Sequence, residues 1–150
     1  MIRPVTQPDL DTATAPAHST PSTSRVAVIA VAAVGVLACN LLLYVIGRAC
    51  GGTFTYVHNG ATVRVDATAV AIMSVVPLTI GLALAAWLSR TWPPVTAIAK
   101  VVAAILAVAT IALMTVPAGF DTTSTLFLAT MHLALVPAAV VALGALAWRR

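Results

Sequence analysis

No glutamate occurs in this 150-residue chain, and Lys100 is its only lysine. Asp, Glu, Lys and Arg together make up 8% of it, against roughly a quarter in an ordinary soluble domain. Four acidic and eight basic side chains are too few to cover the surface of a water-soluble globule. The basic residues stand mostly singly, at the ends of apolar runs, and form no basic stripe interleaved with aromatics. That pattern argues against a nucleic-acid partner. Cysteine is as scarce. Cys39 and Cys50 form no CxxC pair, which excludes a quinone-linked disulfide oxidase. Eleven helical residues between them correspond to roughly 16 Å, whereas a disulfide needs Cα atoms within about 7 Å. Two free thiols are expected.

Residues of the set AVILMFWYC make up 61% of the chain. They gather into four runs, at about 26–46, 67–88, 95–116 and 126–148. Each has close to the roughly 20 residues that a helix needs to cross the hydrocarbon core. Charged residues close most of the runs. The expected fold class is an all-α membrane protein, a four-transmembrane-helix bundle over residues 25–150. Residues 1–24, rich in Thr, Pro, Ser and Ala, read as a disordered cytoplasmic tail. Val36-Leu37-Ala38-Cys39 loosely resembles a lipoprotein cleavage box, but the apolar run continues through Ile46, so an uncleaved span is expected.

One stretch departs from this pattern. Thr53 to Asp66 alternates apolar and polar residues around Asn59-Gly60, which is how a two-stranded hairpin with a type I′ turn is written. That turn opposes His58 to Ala61, Tyr56 to Val63 and Phe54 to Val65. A lone hairpin is marginal in water, so its apolar face should rest on the helix ends. A plain lid is one reading, and a cap over a site is the other. With the N-terminus inside, the inner face carries Arg3, Arg25, Arg90, Lys100, Arg149 and Arg150, and the outer face only Arg48 and Arg64. The positive-inside rule then puts both termini in the cytoplasm of a multi-pass plasma-membrane protein and the hairpin outside. Asp66 and Asp121 stand where N-caps are expected for helices two and four.

Polar residues inside the runs are the informative ones, because each is costly in lipid. Asn40, Ser74, Thr110 and His132 all lie roughly 9–10 Å below the outer boundary at 1.5 Å per residue. One per helix at one depth marks either an interhelical hydrogen-bond layer or a polar ligand-binding pocket under the hairpin. Pro77 and Pro137 would kink helices two and four nearby. Gly81-x-x-x-Ala85 and similar spacings would permit close helix contact. No run contains a carboxylate, as a small proton-coupled exporter requires. No cluster has metal-ligand spacing, a single membrane histidine cannot supply bis-His haem ligation, and no catalytic set is visible. No cofactor, metal or catalytic residue is expected, nor is the chain expected to be an enzyme.

The Asn40 to Arg48 segment with its Gly-Arg exit, the valine-rich hairpin from Thr53 to Val65 and Met131-His132-Leu133 resemble small four-helix membrane proteins of actinobacteria grouped as a domain of unknown function. The likeness covers about residues 25–150. It implies four helices and a plasma-membrane location, and it implies no activity. The functional expectation is a non-enzymatic membrane interaction or scaffold protein whose partners are the bilayer and a second copy or another membrane protein. The alternative is a small-molecule binder or transporter that uses the polar layer.

Overall fold

A computed structural model describes residues 24–148. The expected tail lies outside them except for Ser24, as do Arg3, Arg149 and Arg150. Four helices are long and apolar enough to cross a membrane. Helix α1 spans Arg25–Ala49, α2 Ala67–Leu88, α3 Val95–Thr110 and α4 Thr122–Ala147, with strands β1 (Thr55–His58) and β2 (Ala61–Arg64) between α1 and α2.

Each helix boundary has a local cause. Ser24 caps α1 by accepting from the Ala27 amide, and Asp66 caps α2 through Ala69. Helix α1 runs three residues past the expected Ile46. It stops where Gly51 takes a φ of +91° and the Gly52 amide turns back to the Gly47 carbonyl at 2.9 Å, the left-handed ending that glycine favours. Helix α4 begins at Thr122 rather than near 126, immediately after its Asp121 cap. The third span is not uniformly α-helical. Ile111–Thr115 forms a π-helical turn between Thr110, whose hydroxyl donates to the Leu106 carbonyl at 2.7 Å, and Pro117, which has no N–H to continue a helix.

The hairpin has the expected register, with Tyr56 opposite Val63 and His58 opposite Ala61. Asn59 and Gly60 both have positive φ, +51° and +79°, as a type I′ turn requires. The Val65 amide donates to the Phe54 carbonyl at 2.8 Å, which extends the pairing by one step. Only the base of the hairpin is covered. Phe54 is fully buried, and His58 to Arg64 are exposed.

Helix α4 packs against the three others, and α1 packs against α2 and α4. Two apolar cores result. The inner one joins Val36, Leu78, Leu82, Leu143 and Leu146. The outer one joins Phe54, Val70, Leu128 and Met131, with Tyr44, Phe120 and Phe127 packed on it. Asn40 lies one turn beyond Val36, and Ser74 lies between Val70 and Leu78, so a polar pair separates the two cores. At the far end from the hairpin, the Arg25 guanidinium donates to the Ala86 carbonyl at 2.8 Å. Trp87, Trp92 and Trp148 are exposed at that end, where indoles favour the membrane interface. Both cysteines are free thiols.

Candidate functional site

Helices joined by a short loop normally pack along their length. Here α2 and α3 hardly touch. Between them lies a cleft of about 1280 Å³, larger than the roughly 300–1,000 Å³ of most small-molecule pockets. Helix α4 forms its floor through Leu128, Met131, His132, Leu135, Ala139 and Leu143. Its walls are apolar residues of α2 and α3, from the hairpin end down to Leu88 and Val95. Tyr56, His58 and Arg64 of the hairpin and Phe120 of the loop before α4 border its hairpin end. Gly81, part of a spacing that suggested tight helix contact, faces the cleft, and a Cβ built there meets nothing within 4 Å.

All four polar residues singled out in the sequence border this cleft. They do not form one hydrogen-bonded layer. Asn40 and Ser74 are brought together, with Asn40 Nδ2 donating to Ser74 Oγ at 2.8 Å. Thr110 spends its hydroxyl on its own helix. His132 Nδ1 lies 2.8 Å from the Leu128 carbonyl, also within its own helix. Asn40 is 1% exposed, and its Oδ1 has no hydrogen-bond partner. A buried carbonyl oxygen left unpaired costs about 1–3 kcal/mol.

The roof of the cleft is fastened by a group that sequence reasoning treated only as a cap. Asp121 Oδ1 accepts from the Ser124 amide at 2.8 Å, the expected N-cap bond. Its Oδ2 also accepts from the Ser124 hydroxyl at 2.6 Å and from the Thr53 amide and hydroxyl at 3.0 and 2.7 Å. The Ser124 hydroxyl and amide, then the Thr53 hydroxyl and amide, hold the Asp121 carboxyl well below the usual carboxylate range. Arg48 donates to the Gly52 and Thr53 carbonyls at 3.0 and 2.9 Å. The Phe54 amide donates to Ser124 Oγ at 2.8 Å. Phe54 itself has a φ of +54°, an uncommon conformation for a bulky side chain that costs of order 1–3 kcal/mol. Burial offsets it: the ring lies 4.9 Å from Tyr44 and reaches over Gly47, where an added Cβ would come within 2.8 Å of it. The Tyr56 ring packs tilted against Phe120, with centroids 5.0 Å apart. Asp121-x-x-Ser124 was a legible cap signal. Its link to Thr53, 68 positions away, left no trace in the pattern.

No group of three or more His, Cys, Asp or Glu side chains among the described residues is arranged to hold a metal ion. What the site offers is a long apolar trough, a short polar stretch on its floor and walls, and a roof with a basic and aromatic rim. A family model described as a family of unknown function, DUF6069, matches residues 20–150. No curated protein and no solved structure matches the chain.

Proposed function

The chain belongs to DUF6069, a family of unknown function, and from that premise we propose that it is a multi-pass protein of the cell membrane that holds an amphiphilic small molecule in the cleft between α2 and α3. The observation that carries this reading is the large apolar cleft between α2 and α3, bordered by Asn40, Ser74, Thr110 and His132. Two adjacent helices that leave so large an apolar space between them need something in it, and an apolar chain fits the walls. The role is binding or transport, and the reading includes no chemical step. The hairpin faces outward and both termini inward, as the six inner against two outer basic residues favour. The scaffold alternative corresponds to the same cleft filled by a helix of a second copy.

Gly81→Phe separates these. A Cβ at 81 meets nothing within 4 Å on a residue that borders the cleft, and replacing a mid-helix glycine does not weaken the helix. Native mass spectrometry from mild detergent is expected to show a co-purified amphiphile on the wild-type chain. The Gly81→Phe protein should lose it while melting no lower. Bare chains for both proteins, with no adduct on either, overturn the binder reading. A wild-type dimer that Gly81→Phe converts to a monomer replaces it with self-association.

A further inference from the structure

Resting on the reading of the cleft as an amphiphile site, we infer that its ligand is anionic: a long-chain phosphate or carboxylate with its head at Arg64 and its tail toward Leu88 and Val95. The two ends of the cleft differ in charge. Arg64, at the hairpin end, is the only Lys, Arg, Asp or Glu bordering the cleft. Its guanidinium makes no hydrogen bond or ion pair among the described residues. Tyr56 and His58, two positions apart on β1 and so on one face of it, border the same end, with ring centroids 6.4 Å apart. A phenol hydroxyl and an imidazole N–H can each donate to an oxyanion beside the guanidinium. The opposite end is bordered by Leu88, Val95 and Ile98 and by no charged side chain. Lys100, the one charge within the third span, packs toward α4 instead. Its Nζ is 3.8 Å from where a Gly144 Cβ would stand, and neither residue borders the cleft. Asp66 and Asp121, the only acids among the described residues, do not border it either.

Charge complementarity selects the head and its direction together. A cationic head would meet like charge at one end of the cleft and bare hydrocarbon at the other. The uncharged level of Asn40, Ser74, Thr110 and His132 holds donors and acceptors alike, so it favours neither, and an ion at that depth would be expensive. Arg64 itself is exposed, so an anion paired with it keeps much of its hydration. Its planar fork matches a carboxylate or phosphate with two parallel bonds. With the head there, the apolar chain has one way to run, along α2 and α3 away from the hairpin. The same exposure limits the effect, because a solvated ion pair is worth up to about fivefold in affinity.

Three probes with a diazirine at the tail end test both parts: hexadecyl phosphate, hexadecan-1-ol and hexadecyltrimethylammonium. They are compared at matched mole fraction in zwitterionic phosphatidylcholine nanodiscs, with labelled peptides identified by mass spectrometry. The phosphate should label at about fivefold lower mole fraction than the alcohol, and the ammonium should label least. The phosphate's labels should fall between Leu82 and Leu88 of α2 and around Ile98 of α3. Arg64→Gln should bring phosphate and alcohol level, Arg64→Lys should keep most of the preference, and Arg64→Glu should pass it to the ammonium. The Arg64 side chain holds no other described residue, so all three variants should melt with the wild type. Unlabelled hexadecanoate should compete with the phosphate probe, and inorganic phosphate should not. An alcohol that labels as readily as the phosphate, or an ammonium that labels better, overturns the anionic inference and leaves the amphiphile reading standing. Phosphate labels confined to the hairpin end, or a preference that survives Arg64→Gln unchanged, overturn the placement of the head. Displacement by inorganic phosphate would make the hairpin end a site for free anions and also overturn the inference. If no probe labels the cleft, the amphiphile reading itself falls.

Discussion

Replacing Asp121 by Asn should undock the hairpin while leaving α4 capped. The amide oxygen can still accept from the Ser124 amide, so the cap survives. The amide nitrogen then stands where Oδ2 accepts three bonds, from Ser124 Oγ, Thr53 N and Thr53 Oγ1. Hydroxyl hydrogens can rotate away, but the Thr53 amide cannot, and it is left facing another donor. Bonds to a charged acceptor contribute roughly 1.5–3 kcal/mol each when well formed. Asp121 is only partly buried, so solvent screening favours the lower end, about 1–2 kcal/mol. Amide hydrogen exchange across Tyr56 to Val65 should therefore run about five- to thirtyfold faster in the Asn protein at pH 7. The pH dependence has a definite sign. The folded carboxyl titrates below its unfolded value, so its contribution is fully present above about pH 4–5 and fades as pH falls further. After correction for intrinsic exchange, the difference between the two proteins should shrink below about pH 4. Equal protection at pH 7, or a gap that widens on acidification, would refute the role given to Asp121.

Gly47→Ala should loosen the same roof. A Cβ there meets Phe54 at 2.8 Å and Phe127 at 2.9 Å, an overpacking worth about 1–3 kcal/mol that exceeds the helix-propensity gain of about 1 kcal/mol. Proteolysis within 53–65 should accelerate, and unchanged cleavage counts against the packing. Gly60→Val forces a β-branched residue to a φ of +79° at a cost of about 1–2 kcal/mol. It should fray the exposed tip and leave membrane insertion intact, and loss of insertion would contradict the separation of hairpin and spans. In intact cells an impermeant maleimide should label the exposed Cys50, tested in a Cys39→Ala background. Labelling only after permeabilisation would reverse the proposed orientation.

Local chemistry was the legible part of this molecule. Four apolar runs of spanning length announced the helices, because lipid leaves the backbone few alternatives. Asn59-Gly60 pinned the hairpin register, since only one pairing places both at positive φ. Counting depth along each span picked out Asn40, Ser74, Thr110 and His132, and all four border one cleft. Their bonding was not legible. Whether a threonine or histidine bonds across helices or back to its own carbonyl depends on how far the neighbouring helix stands away. The gap between α2 and α3 decided it, and nothing in the six-residue link Ser89–Pro94 encodes that gap. The left-handed Phe54 was equally hidden. Phenylalanine does not advertise such a conformation, and here contacts with Tyr44 and Gly47 of α1 and Ser124 of α4 hold it from two separate helices.

The cleft runs lengthwise between α2 and α3 and opens sideways. In a bilayer its long opening looks onto acyl chains rather than onto water. On the proposed reading a solute would therefore reach it by first dissolving in the membrane, and mole fraction in the lipid would govern occupancy. Partitioning acts as a filter ahead of recognition. Ions, sugars and free amino acids are screened out before they meet a single side chain. Molecules that pass are already concentrated and already aligned along the membrane normal, so much of the orientational entropy of binding is lost beforehand. On the proposed reading a weak polar contact in the cleft would then suffice to discriminate among them, and a site with no charged anchor at its polar level could still be selective.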